Sequence, residues 1–267
     1  MVPTTPALLT FEEYGAGIGA AATVLRANAT SARLDARVPT CPEWSVTDLV
    51  AHTGMVHRWC ADTLRGTRSD PLDHEAAGRA SADLLQWFDD GATELLDALS
   101  KTPQEWEGFF FLRTAEHPRD GWARRQCHET TVHAVDAMSA RLGRPPTAAE
   151  VWFSRELAVD GIDELLTGFV PRRSSPLRSA QPVTIEIGAT DVDATWCLRV
   201  SEEPTVVTRG AAADPDARWA GPACGLYLAL WNRAGDGTDC GVECAELTPA
   251  GSGSRALWAD LMRVTWS

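Results

Sequence analysis

The chain has 267 residues, 44% of them hydrophobic, and a formal net charge of −13 at pH 7. That length exceeds one ordinary compact core, so two domains are expected. The acidic balance argues against nucleic acid and anionic membrane surfaces as partners, and no apolar run is long enough to span a bilayer. The opening Met1-Val-Pro-Thr-Thr-Pro lacks the basic start and apolar core of a secretory leader, so a soluble, cytoplasmic protein is expected. Seven scattered cysteines without a C-x-x-C pair read as free thiols in that compartment.

Residues 6–28 carry Phe11, Tyr14, Ile18, Ala21 and Leu25 at helical spacing and predict a first helix. Residues 38–44 follow as an extended segment held open by Pro39 and Pro42. Ser45 with Asp48 three positions later resembles a capping box and starts a second helix. Its apolar stripe holds Leu49, His52, Val56, Trp59 and Thr63, so His52 is an imidazole aimed inward. A lone inward histidine is ordinarily a core group bonded to a backbone carbonyl. His57 lies on a different side and reads as packing or surface. Residues 66–73 read as a loop. Residues 75–100 predict a third helix, with Ser81, Leu84, Phe88, Gly91, Leu95 and Leu99 on one stripe. The apolar run 106–112 reads as a lid or a strand-like crossover.

The most informative stretch lies in a fourth helix over residues 118–142. Trp122, Gln126, Glu129, His133, Ala137 and Ala140 step by four, three, four, four and three, which places them on one face. Glu129 and His133 are therefore inward neighbours one turn apart. Burying either group unpaired is costly, so the pair needs a partner. A mutual hydrogen bond is one answer and a metal ion is another. The helix is not the His-Glu-x-x-His of zinc proteases: position 132 is valine, and His128 and His133 diverge at five residues apart. A third ligand must come from elsewhere. Residues 1–143 thus read as four amphipathic helices, a bundle whose core is the natural place for a metal.

Gly143-Arg-Pro-Pro-Thr147 marks the domain boundary. Beyond it a helix over 148–168 and a loop over 171–182 precede a change to period two. Residues 183–187, 194–200 and 205–209 predict strands, and 222–233 and 254–263 predict helices. The second domain, 148–267, is expected to be α+β, with helices against a small antiparallel sheet. Cys240 and Cys244 sit in Gly-rich surroundings that read as loop. No phosphate-binding glycine loop, no G-x-S-x-G elbow and no repeat is visible.

Two segments carry a resemblance: Cys41-Pro-Glu-Trp44-Ser-Val-Thr-Asp48-Leu-Val-Ala-His52, and Arg125-Gln-Cys-His-Glu129-Thr-Thr-Val-His133-Ala-Val-Asp136. They resemble the mycothiol-dependent maleylpyruvate isomerase family of actinobacteria, and the run from Gly221 to Arg233 is similar to a helix motif in its C-terminal domain. The resemblance implies an α+β two-domain fold: a DinB-like four-helix bundle over 1–143, and a smaller C-terminal α/β domain over 148–267 resembling sterol-carrier folds. It implies a metal held by His52, Glu129 and His133, with mycothiol as the low-molecular-weight thiol and Arg233 helping to hold an acidic substrate. Two imidazoles and a carboxylate are a ligand set of catalytic zinc with one position open. Relatives commonly have glycine at the position of Asn232. Arg124 and Arg125 are further candidates for a substrate carboxylate, although solvated helix surface is the favoured reading of both. Three functions follow: a zinc- and mycothiol-dependent isomerase, a mycothiol S-transferase acting on another electrophile, and a non-enzymatic, metal-bearing module that binds small molecules.

Overall fold

The computed structural model describes residues 9–112, 115–235 and 240–262. The chain divides into two compact units, Thr10–Pro145 and the residues from Pro146 onward together with Leu9.

In the first unit, helix α1 (Phe11–Ala32) opens on a capping box. The Thr10 hydroxyl accepts from the Glu13 N–H, and the Glu13 carboxylate accepts from the Thr10 N–H. Tyr14, Ile18, Ala21 and Leu25 are buried, as the spacing predicts, while the expected start before residue 9 lies outside the described residues. The extended segment is one arm of a small hairpin, β1 (Arg37–Val38) paired antiparallel with β2 (Cys41–Ser45). Helix α2 (Val46–Arg65) begins at the Ser45–Asp48 capping box and stops where Gly66 takes a φ of +73°.

The predicted third helix is two helices, α3 (Pro71–Arg79) and α4 (Leu84–Lys101). Residues expected to be loop already form the first turn of α3, with Asp70 as its cap. Ser81 and Asp83 cause the break, because each turns its side chain onto nearby backbone. The Ser81 hydroxyl accepts from the Asp83 N–H, and Asp83 caps Gln86 at 3.0 Å. The fold-back places the Trp87 ring against two glycines. A Cβ added at Gly54 or Gly78 would meet it at 2.3 or 2.7 Å. Helix α5 (Pro118–Leu142) ends at Gly143 in the left-handed conformation. It packs along α1 and against α2, while α4 packs on α2 and α1. Ile18, Leu25, Leu49, Phe88, Leu95 and Trp122 fill the core. Residues 106–112 form no strand. Phe110 and Phe111 stand edge-on to Trp122 at 5.3 and 5.6 Å, and the Trp122 indole donates to the Phe109 carbonyl at 2.7 Å.

In the second unit, helix α6 (Arg155–Glu164) starts at the Ser154 cap, later than expected, and runs into a π-helical turn over Leu165–Phe169. Five strands follow the order β5-β4-β3-β6-β7. They are β3 (Val183–Ala189), β4 (Thr195–Val200), β5 (Val206–Arg209), β6 (Ala217–Gly221) and β7 (Glu243–Glu246), with helix α7 (Ala223–Leu230) between β6 and β7. The expected antiparallel sheet is mixed, because β6 pairs parallel to β3 with Ile187 opposite Trp219. Helix α8 (Ser254–Leu261) follows, and α7 packs on α6. No disulfide joins cysteines among the described residues. No helix among the described residues is long and apolar enough to cross a membrane.

Candidate metal centre

The capping box that starts α2 puts His52 less than two turns into that helix, and α5 presents Glu129 and His133 one turn apart. The three side chains converge. His133 Nε2 lies 3.2 Å and His52 Nε2 3.6 Å from Glu129 Oε1. One ligand atom from each residue falls within 4.8 Å of the other two, and no other such group exists among the described residues. Tetrahedral zinc, with bonds of about 2.0–2.1 Å, spaces its donors at roughly 3.3 Å, so the trio fits one small cation. The side chains are nearly enclosed, with exposures of 9%, 13% and 9% for His52, Glu129 and His133.

The same closeness fixes the electrostatics. Burial alone would raise the Glu129 pKa, but the hydrogen bond from His133, the His52 imidazole close by and the Arg125 charge hold it well below the usual carboxylate range. Burial alone would lower His133. Hydrogen bonds to Asp136 and Glu129 outweigh that and bring it to about 9. Without a cation the site is therefore a carboxylate clamped by an imidazolium.

A second ring of residues surrounds the trio. Asp136 Oδ2 accepts from His133 Nδ1 at 2.9 Å. The Trp44 indole, on β2, stacks on the His133 ring at 5.7 Å and 27°, and meets the His52 ring at 4.9 Å. Arg125 reaches Glu129 Oε2 at 3.2 Å. Neither Asp136 nor Trp44 stands out in the helical spacing, although both lie inside the motif segments and Asp136 is three residues past His133.

Arg124 and Arg125 correct the expectation of a solvated face: they are 4% and 3% exposed. Helix α5 is buried almost all round between Gly121 and Ser139, so it has no solvent stripe for them to occupy. His57 is fully buried and apart from the trio. Its Nε2 pairs with the Thr130 hydroxyl at 2.9 Å, and burial pushes its pKa down to about 3, which makes it a neutral packing group. His128 is buried with its ring edge-on to Tyr14 on α1. Arg233 belongs to the second unit, just past α7. Its backbone N–H bonds to the Leu228 carbonyl at 2.7 Å and its guanidinium to the Trp231 carbonyl at 2.8 Å. The preceding Asn232 has a φ of +57°, a conformation that glycine and asparagine both adopt.

Residues 16–138 match the family model of the mycothiol maleylpyruvate isomerase N-terminal domain. Two solved structures are similar over most of the chain. The crystal structure of the mycothiol-dependent maleylpyruvate isomerase matches with a TM-score of 0.61 at 13% identity, covering 89% of this chain and 93% of that one. The crystal structure of the H52A mutant, named in that protein's own numbering, matches at 0.60 with the same identity and coverage. At such identity the likeness is one of fold. No curated relative matches by sequence.

Proposed function

With residues 16–138 assigned to the mycothiol maleylpyruvate isomerase N-terminal domain, we propose that this protein is a thiol-dependent enzyme of the maleylpyruvate isomerase type. In this reading it holds a zinc ion on His52, Glu129 and His133 and uses mycothiol on an electrophilic, unsaturated acid. The observation that carries it is the convergence of two imidazoles and one carboxylate, from two helices, on a volume fit for one cation. Magnesium and calcium would call for more oxygen donors. When bound, zinc supplies a positive charge that lets a thiol in its open coordination position ionise at neutral pH.

The chain's own residues do the rest. Arg125 helps keep Glu129 ionised, and Asp136 holds the His133 ring. Trp44 covers the two imidazoles on one side and limits water there. Arg233 is proposed to pair with the substrate carboxylate, as a planar guanidinium is suited to do. The packing of α1 on α5 and of α2 on α4 supports a DinB-like four-helix bundle for the first domain. The mixed sheet with its helices supports a separate, smaller α/β domain of sterol-carrier type.

The test is metal analysis of protein purified without chelator, joined to a mass balance on the thiol. One zinc per chain is expected, and it should be lost in His52→Ala. With maleylpyruvate, mycothiol should be returned in full after each turnover. Consumption of mycothiol by a haloarene, without isomerisation, would assign an S-transferase instead. Substoichiometric metal that His52→Ala leaves unchanged would end both enzymatic readings.

A further inference from the structure

Asp136 lies one turn beyond His133 on α5, and its side chain is wholly buried. Its two carboxylate oxygens have different duties. Oδ2 accepts from His133 Nδ1 at 2.9 Å, and Oδ1 accepts from the Thr40 hydroxyl at 2.6 Å. The Cys41 thiol points at Oδ2 from 3.6 Å. Ser139 closes the group, bonding to the Asp136 carbonyl at 2.7 Å and meeting the Thr40 hydroxyl at 2.9 Å. Thr40 and Cys41 come from the β1–β2 hairpin, whose strand β2 also carries Trp44. One small hairpin therefore fixes the carboxylate behind His133 and the aromatic plate stacked on its face.

An imidazole with an N–H bound to a carboxylate at Nδ1 keeps its ligand lone pair at Nε2, and a fixed carboxylate fixes the ring's aim. We propose that Asp136, itself held by Thr40, is the positioning residue that presents Nε2 of His133 to the cation. The inference rests on the metal reading above and adds a residue pair to it. A merely structural role would predict something else: Asp136 would tie α5 to the hairpin, and its loss would weaken the fold but leave the ion's affinity alone.

The experiment measures zinc affinity by competition with a chromophoric chelator, at one pH. It compares the full chain with Asp136→Asn, Thr40→Val and Thr40→Ser. The visible spectrum of the cobalt-substituted protein reports ligand geometry alongside. Asp136→Asn should weaken zinc by about 10–100-fold and alter the cobalt spectrum, as loss of a ligand's outer partner commonly does. Thr40→Val should weaken it by a smaller factor, and Thr40→Ser, which keeps the hydroxyl, should restore it. Zinc affinity in Asp136→Asn equal to that of the unaltered chain overturns the proposal, even if the metal-free protein is less stable. Should Asp136→Asn not fold, the threonine pair decides, and equal affinities in Thr40→Val and Thr40→Ser overturn it. An unaltered chain that takes up no zinc overturns the metal reading and this proposal together, which separates the two failures.

Discussion

Glu129 in the first unit and Asp163 in the second are both acids taken out of water, and their partners differ in kind. Asp163 is fully buried on α6. It accepts from Arg209 through Nε at 2.6 Å and Nη2 at 2.7 Å, and from the Trp196 indole at 3.0 Å. A forked guanidinium and an indole have nothing to exchange, so this acid ties a helix to two strands. Two of the three groups around Glu129 are imidazoles, which can give up a proton and take a metal in its place. Burial alone does not separate a carboxylate proposed as a metal ligand from a structural one. The exchangeability of its neighbours does.

The largest expected effects come from neutralising each acid. Glu129→Gln should lose most of the zinc, whereas Glu107→Gln, at an exposed position, should keep it. Asp163→Asn should leave zinc content intact and lower stability by about 3 kcal/mol in urea denaturation, because Arg209 is then left without its counter-charge. Equal zinc occupancy in Glu129→Gln and Glu107→Gln would remove Glu129 from the ligand set. Loss of zinc in Asp163→Asn would erase the distinction between the two acids.

A smaller effect separates them by pH. The folded-state pKa of His133, about 9, stands above the ordinary imidazole value of 6.5, raised by its hydrogen bonds to Asp136 and Glu129. The proton is held more tightly in the folded chain, so the stability it supplies is full below 6.5 and disappears as pH rises through 9. For the metal-free protein the loss between pH 7 and 9 is about 2 kcal/mol. Zinc displaces that proton, so the loaded protein should not show this loss. The check is urea unfolding across that range with chelator and with zinc. A metal-free protein whose midpoint does not fall would show that His133 is not charged in the folded state.

The helical step along α5 was enough to pair Glu129 with His133, and the stripe along α2 was enough to turn His52 inward, because both are local periodicities. The ring around them was not legible in this way. Thr40 and Asp136 are 96 positions apart, and their contact exists only after the hairpin folds onto α5. The burial of Arg124 and Arg125 was hidden for a related reason: a helix enclosed on every side shows no amphipathic stripe. In the second unit, β6 and β7 are short runs beside glycine and proline, and parallel pairing with β3 is decided by tertiary packing rather than by turn chemistry. The split between α3 and α4 could have been read from Ser81 and Asp83, whose side chains compete with helical hydrogen bonds, but the stripe running through them concealed it.

The smallest test uses the caps of the two helices concerned. Ser45 caps α2, which carries His52, and Ser154 caps α6, which carries Asp163. Each hydroxyl accepts an N–H three residues on, at 3.3 Å. Replacement by alanine should cost about 1 kcal/mol in either place, read as a fall in the urea midpoint. The two should part company on zinc. Ser154→Ala acts on a helix whose acid is already saturated and should leave uptake unchanged. Ser45→Ala frees the first turn of the helix that aims His52, and it also removes the 2.5 Å bond from the Ser45 hydroxyl to Asp48, so zinc should bind measurably more weakly. Equal zinc affinity in both variants would mean that His52 is aimed by its packing against Trp44 and His133, and not by the start of its helix.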